Sequence, residues 1–226
     1  MIIAIDGPSG AGKSTIAKAV AKKLGFSCLD TGAMYRAVAW QALQNHVALD
    51  DAEGLGNIAR TYEIDFEAAP GDPIPRRVFI GGVEVTDAIR TLEMDKAVSP
   101  VSATVSVREA LVEQQRRIGN AGNYVIEGRD IGTVVFPDAE LKIFMTASDE
   151  ERAHRRVRQN VDRGVGSMDY DEVLADLQRR DDYDSNRAAS PLRPAEDAVM
   201  FDTTGLYIEE VIVRICDMAN EILKRR

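Results

Sequence analysis

The segment that most constrains this chain is residues 7–14, which read GPSGAGKS and fit the pattern GxxxxGK(S/T). A buried-strand pattern at residues 1–6 precedes it, and a helical pattern from Lys13 to Leu24 follows it. Glycines reach backbone dihedrals that turn successive N–H groups toward one point, and a helix N-terminus adds partial positive charge. The segment, called here the phosphate loop, is therefore predicted to bind nucleotide phosphates.

The residues of the phosphate loop have distinct predicted roles. Lys13 is expected to reach the β- and γ-phosphates of ATP, and the Ser14 hydroxyl is expected to ligate Mg²⁺. The predicted ATP-binding residues are Gly7, Pro8, Ser9, Gly10, Ala11, Gly12, Lys13, Ser14 and Thr15. A flexible glycine-rich surface turn is the alternative, which the flanking strand and helix patterns disfavour.

The composition argues against several classes of protein. The chain has 226 residues and a formal net charge of −9, which disfavours a broad nucleic-acid surface or attraction to an anionic membrane. No apolar run approaches the ~18 residues of a membrane span, and the N-terminus lacks signal-peptide features. Cys28 and Cys216 lie in apolar patterns, which favours buried reduced thiols. A cytoplasmic protein is expected.

Beyond the phosphate loop, short apolar strands alternate with amphipathic helices. Later strands are predicted at residues 26–29, 124–126, 141–145 and 198–201, and helices at 33–44 and 105–118. Ser99 and Pro100 are predicted to break the helical stretch that precedes residue 105. Strands separated by helices of this length predict a parallel sheet with helices on both faces.

Residues 61–85 depart from this alternation. Segments 64–67 and 77–80 alternate between apolar and polar residues, and Gly81 and Gly82 follow the second segment. Two strands joined by Gly-Gly predict a β-hairpin. A small antiparallel insert is therefore expected, with a structural or substrate-covering role.

Charged residues are predicted to gather beside the phosphate loop. Asp30 ends the second strand and Arg36 lies early in the next helix, where parallel sheets bind their ligands. The alternatives are a helix cap for Asp30 and a solvent position for Arg36. Arg152 and Arg156 share one face of a helix pair bounded by glycines. Such a pair is suited to closing over a γ-phosphate, and the alternative is a solvated face paired to carboxylates.

Longer motifs resemble those of bacterial cytidylate kinases over nearly the whole chain. They are DTGAMYR from residue 30, VREAL from residue 107, EGRDIGTVVFPDA from residue 127, SDEERAHRR from residue 148 and RRDDYDSNRAASPL from residue 179. The resemblance implies transfer of the γ-phosphoryl group of ATP to CMP or dCMP. It also implies an α/β three-layer P-loop fold with a central parallel sheet, a small antiparallel insert in the monophosphate-binding part and a short helical lid.

The resemblance implies one domain over residues 1–226 with three parts. The core comprises residues 1–32, 98–150 and 188–226. The monophosphate-binding part comprises residues 33–97, and the lid region comprises residues 151–187. A monomer is expected, with ATP, CMP and dCMP as small-molecule partners and with no nucleic-acid or membrane partner.

The resemblance also assigns residues to each part of the substrate. They are Ser99, Arg108 and Asp130 for the cytosine, Arg180 and Asp184 for the ribose, and Arg36, Arg129 and Arg187 for the phosphates. Asp30 is predicted to bind the substrate as well, from its place at the end of a strand. A carboxylate acceptor and a guanidinium donor complement cytosine, whose exocyclic amine donates beside acceptors. Uracil would present a carbonyl to Asp130, so a preference for C over U is expected.

No general base is expected, because the acceptor is a phosphate oxygen that is largely ionised above its second pKa of about 6. Catalysis would then rest on positioning and charge stabilisation. The residues predicted to supply it are Lys13, Arg129, Arg152, Arg156 and Arg187. Glu127 lies where members of this family often carry Asp, and it is expected to help hold Mg²⁺ through water.

Two other functions are open to a chain with this loop. A shikimate-type kinase would use Asp30 as a base toward an alcohol, and it would not need so many arginines late in the chain. A non-catalytic nucleotide-binding regulator should lack Lys13 or Ser14, and both are present. A GTPase of the usual kind should carry an NKxD segment, and the sequence has none.

Overall fold

The computed structural model describes residues 1–225, in which strands and helices alternate as predicted. The strands are β1 (Ile2–Asp6), β2 (Ser27–Asp30), β3 (Ile64–Ala68), β4 (Pro75–Ile80), β5 (Val83–Glu84), β6 (Tyr124–Gly128), β7 (Leu141–Thr146) and β8 (Val199–Asp202). The helices are α1 (Lys13–Leu24), α2 (Thr31–Gln44), α3 (Ala52–Thr61), α4 (Leu92–Ala103), α5 (Val105–Gly119), α6 (Asp149–Arg163), α7 (Tyr170–Asn186) and α8 (Ile208–Lys224).

A five-stranded parallel sheet forms the centre, in the order β2-β6-β1-β7-β8. Every residue of β1 is buried, as expected for a strand covered on both faces. One apolar cluster joins one face of the sheet to α2–α5, and a second joins the other face to α1 and α8. The predicted arrangement of helices on both faces of a parallel sheet is confirmed.

The strand register brings charged residues to one edge of the sheet. Asp30 at the end of β2 is aligned with Glu127 on β6, and Asp6 at the end of β1 is aligned with Gly128. Parallel strands end at the same edge, so these carboxylates collect beside the phosphate loop. Asp30 also caps α2, because its Oδ1 accepts a hydrogen bond from the Ala33 N–H at 3.1 Å. The helix accordingly begins at Thr31 rather than at residue 33.

The predicted helix break at Ser99 and Pro100 is wrong. Helix α4 continues through Pro100 to Ala103. Proline removes one helical hydrogen bond and crowds the preceding turn. Val98 and Val101 on the same helix are buried in the core, and burying such side chains stabilises by about 1.5–3 kcal/mol each. Core packing therefore outweighs the local cost of the proline.

The predicted antiparallel insert is present as the sheet β3-β4-β5. Gly81 and Gly82 lie at φ values of 55° and 79° in the turn between β4 and β5, a backbone region that glycine adopts without steric cost. Ile64 and Ile80 of this sheet are buried in the same cluster as α2–α5. Within residues 1–225, no helix combines the length and apolar character needed to cross a membrane.

Candidate active site

A cavity of about 870 Å³ opens where β1, β2 and β6 end. Most of the predicted site residues line it: Ser9, Gly10, Ala11, Gly12, Lys13, Ser14, Thr15, Asp30, Arg36, Arg108, Glu127, Arg129, Asp130, Arg156, Arg180, Asp184 and Arg187. The predicted residues Gly7, Pro8, Ser99 and Arg152 are not among those that line the cavity. The cavity thus brings the phosphate loop and the predicted substrate residues into one space.

The phosphate loop has a positive φ, which favours glycine, at Gly7, Gly10 and Gly12. Gly7 lies at φ 145°, and a Cβ there would lie 2.0 Å from the carbonyl oxygen of Met145. Gly12 lies at φ 91° immediately before α1. The Lys13 ammonium donates to the Pro8 carbonyl at 2.7 Å. Burial holds the pKa of Lys13 well below its usual value, and the Arg129 charge adds to this effect.

Ser14 and Glu127 form the oxygen-rich part of the site. The Ser14 hydroxyl donates to Glu127 Oε2 at 2.7 Å, and Glu127 Oε1 is buried without a hydrogen-bond donor from the described chain. Burial raises the pKa of Glu127 to about 7, and the neighbouring charge of Asp30 adds to the shift. A hydroxyl and a buried carboxylate are hard oxygen donors, so this pair fits a magnesium ion.

Across residues 1–225, no group of three or more His, Cys, Asp or Glu side chains is arranged to hold a metal ion by itself. Mg²⁺ usually keeps several waters and takes one or two protein ligands together with substrate phosphates. The Ser14–Glu127 pair therefore matches the donor set expected for a magnesium–nucleotide complex.

The predicted cytosine-binding residues Arg108 and Asp130 form a buried ion pair. Arg108 Nη1 also donates to the Ser102 carbonyl at 3.0 Å, and its guanidinium lies 5.4 Å from the centre of the Tyr35 ring. Ser102, one helical turn after Ser99, is the α4 serine that lines the cavity. Ser99 was assigned from the family resemblance alone, and that assignment did not include Ser102.

Asp6 does not line the cavity, but it is a buried carboxylate bonded to the segment after Asp130, and sequence analysis did not single it out. Its two carboxylate oxygens accept hydrogen bonds from the Ile131 and Gly132 N–H groups, each at 2.8 Å. Burial raises the pKa of Asp6 to about 6, against the opposing effect of these two hydrogen bonds. The available signal was a carboxylate at the end of an otherwise apolar strand, directly before the phosphate loop.

Asp6 gives the protein an expected pH dependence of stability. Its pKa is about 6 in the folded protein against an ordinary 3.8, so the folded state binds more protons between these values. The contribution of Asp6 to the unfolding free energy should therefore fall as the pH rises from about 4 to about 6, by roughly 1.4 kcal/mol per pH unit. Urea unfolding across this range measures the slope, and Asp6→Asn should remove this component. An identical slope in the variant would contradict the prediction.

Several arginines line the same cavity. Arg36 pairs with Asp95 at 2.9 Å, and Arg129 Nε donates to Asp184 Oδ2 at 2.9 Å. Burial lowers the pKa of Arg180 to about 9, and the charges of Arg129 and Arg36 add to the shift. Crowded, partly desolvated cations favour an anion between them, so this part of the cavity suits phosphate groups.

Helices α6 and α7 contact the phosphate loop through arginine and aspartate. Arg152 is buried, donates from Nη1 to the Ser9 carbonyl at 3.0 Å and pairs with Asp181 on α7. Arg156 Nη2 donates to the Ser9 hydroxyl at 3.0 Å. Arg152 is therefore paired to carboxylates, as the alternative to phosphate binding predicted. It lies inside the protein, however, and not on a solvated helix face.

The loop, the magnesium-compatible pair and the ring of arginines define a nucleotide-binding α/β protein of the phosphotransferase class. A family profile described as cytidylate kinase matches residues 3–221. The chain is 52% identical to the cytidylate kinase of Desulfitobacterium hafniense (strain Y51), over 97% of this chain and 92% of that protein. The chain belongs to the cytidylate kinase family.

Two further similarities extend this result. The chain is 49% identical to the bifunctional pantoate ligase/cytidylate kinase of Synechococcus sp. (strain JA-3-3Ab), over 99% of this chain but 41% of that longer protein. An uncharacterized protein from Eubacterium ventriosum ATCC 27560, of known crystal structure, is similar in fold at 12% identity. The TM-score is 0.52, and the similarity covers 97% of this chain and 98% of that one.

Proposed function

We propose that this protein transfers the γ-phosphoryl group of ATP to CMP or dCMP, giving ADP and CDP or dCDP. The observation that carries the proposal is the buried Arg108–Asp130 pair in the same cavity as the phosphate loop. One cavity thus holds groups suited to a triphosphate and groups suited to a base. Family membership supports the same reaction.

The base-binding groups favour cytosine on chemical grounds. The Asp130 carboxylate accepts from the exocyclic amine of cytosine, and Arg108 donates to the adjacent ring acceptors. Uracil places a carbonyl oxygen against Asp130, and a buried mismatch of this kind costs about 1–3 kcal/mol. Ser102, rather than Ser99, is proposed to contact the cytosine, because Ser102 lines the cavity and Ser99 does not.

The chemical step needs positioning and charge stabilisation, because the attacking group is an ionised phosphate oxygen. Lys13 and Arg156 lie on the phosphate-loop side of the cavity, and Arg129 and Arg187 lie near Asp184. These cations hold two mutually repelling phosphates in line. Ser14, with Glu127 through water, would hold Mg²⁺, which neutralises charge on the donor phosphates when bound.

We further propose that residues 151–187 act as a lid over residues 1–32, 98–150 and 188–226, with residues 33–97 as the monophosphate-binding part. The contacts of Arg152 and Arg156 with Ser9 support this role, since they join α6 directly to the phosphate loop. Closure of such a helix pair excludes water from the transferring phosphoryl group. The proposal takes the protein as a monomer.

The test is an ADP-release assay with Mg-ATP and CMP, dCMP, UMP, AMP or shikimate as acceptor. Turnover selective for CMP and dCMP is expected, and it should fall in Asp130→Ala, with Asp138→Ala at an exposed site as matched control. Asp130→Asn should accept UMP relatively better, because an amide can donate to the uracil carbonyl. Turnover of shikimate alone, or of no acceptor, would refute the proposal.

A further inference from the structure

We infer that Asp6 is a positioning residue for base recognition, which fixes the segment that carries Asp130. This inference rests on the proposed function. Asp6 is 5% exposed, and both of its carboxylate oxygens accept hydrogen bonds from the start of the turn after β6, at Ile131 and Gly132. Asp6 therefore joins the strand before the phosphate loop to the segment that faces the base.

That segment lacks its own cap. Residues Ile131–Val135 form a single π-turn, and Asp130, at its N-cap position, makes no side-chain capping bond. The first N–H groups of such a turn need acceptors, and the preceding Asp is the residue type that usually supplies one. Here the Asp130 carboxylate is turned to Arg108 instead.

Asp6 supplies the missing acceptor from a neighbouring strand. Because its two oxygens satisfy two successive N–H groups, Asp130 is left free to face Arg108 and the cavity. Asp130 has φ −148° and ψ 26°, a backbone conformation outside regular helix and strand. The hydrogen bonds that the Ile131 and Gly132 N–H groups donate to Asp6 hold the chain in this conformation.

The packing around the contact is tight. A Cβ on Gly132 would lie 3.2 Å from Lys142 Cδ and 3.5 Å from Asp6 Oδ2. The turn therefore lies against Asp6 of β1, and the two hydrogen bonds to Asp6 fix its position. Asp6 directly precedes the phosphate loop in the chain and accepts hydrogen bonds from the segment that follows Asp130, so it links the loop to that segment.

Asp6→Asn tests the inference with almost no change in shape. An amide has one acceptor and one donor group, so its NH₂ would oppose one of the two turn N–H groups. We expect the KM for CMP to rise about tenfold and the preference for CMP over UMP to fall by a similar factor. The KM for ATP should stay within about twofold, which a general disturbance of the phosphate loop would not allow.

Ile5→Val is the matched control, because Ile5 is the buried neighbour of Asp6 on β1 and packs in the core. It should lower the melting temperature without changing the preference for CMP. When Asp130→Asn is already present, adding Asp6→Asn should have little further effect on the preference for CMP. Both substitutions act on that preference through the Asp130 carboxylate. Amide NMR signals of Ile131 and Gly132 should move in Asp6→Asn and stay in place in Ile5→Val.

Wild-type protein that does not use CMP would refute the proposed function itself. Wild-type turnover with an unchanged CMP preference in Asp6→Asn, or with equal rises in the KM for ATP and for CMP, would overturn only the inference. If Asp6→Asn does not fold, Asp6→Ser tests the same contact, because its single short hydroxyl cannot accept from both turn N–H groups. It should give the same selective rise in the KM for CMP, and its failure to do so would equally overturn the role of Asp6.

Discussion

Replacing Lys13 with Met is expected to lower kcat about a thousandfold at saturating ATP and CMP. Lys13 is buried at the start of α1, and its ammonium lies 2.7 Å from the Pro8 carbonyl inside the phosphate loop. A preorganised cation in a site that excludes water stabilises developing charge strongly, and loss of one such donor costs 10²–10³-fold in kcat. Initial rates of ADP release measure the effect directly.

Lys22→Met is the matched control, since Lys22 is exposed on the same helix. It should keep normal kcat. Burial lowers the pKa of Lys13, so its charge is costly in the folded state, and Lys13→Met should unfold at the same or a higher urea concentration than the wild type. A loss of kcat below tenfold, or a loss matched by Lys22→Met, would contradict the role of Lys13.

The elements set by local pattern were predictable from the sequence. The phosphate loop, the strand before it and the helix after it are adjacent in the chain, so apolar periodicity and glycine placement specify them together. The Gly81-Gly82 turn and the capping of α2 by Asp30 are local in the same sense. Motif resemblance added the substrate residues, and the structure brings most of them to one cavity.

The contacts between distant parts of the chain were not predictable. Asp6 and Ile131 lie 125 positions apart, and no local pattern shows that one strand caps a turn after another. The pairing of Arg152 with Asp181 likewise depends on how α6 and α7 pack, whereas the sequence showed only a row of arginines. Tertiary packing decides such pairs, and it also carried α4 through Pro100 against the local preference.

The structure further separates the two lid arginines that sequence analysis treated alike. The guanidinium of Arg152 is committed to protein partners: the Ala147 and Ser9 carbonyls and the carboxylates of Asp149 and Asp181. Arg156 donates to the Ser9 hydroxyl, and burial lowers its pKa, with Asp95 opposing and Arg36 reinforcing the shift. An arginine held among cations is the one whose charge a bound γ-phosphate would stabilise most.

Arg156→Met is therefore expected to lower kcat about a hundredfold with little change in the KM for CMP, because its charge acts on the transferring phosphoryl group. Arg179→Met is the matched control, since Arg179 is exposed on α7 and pairs with Asp176. It should keep normal kcat. Arg152→Met should instead lower the melting temperature, because it leaves the buried part of Asp181 without its cation.

The comparison of the two lid variants tests the assignment itself. If Arg152→Met lowers kcat more than Arg156→Met while leaving the melting temperature unchanged, then Arg152 must leave its carboxylate partners when ATP binds. In that case the ion pair with Asp181 is exchanged for the γ-phosphate during closure, and Arg156 only steadies Ser9. A larger kcat effect of Arg156→Met, with a stability effect confined to Arg152→Met, assigns phosphate contact to Arg156 and lid attachment to Arg152.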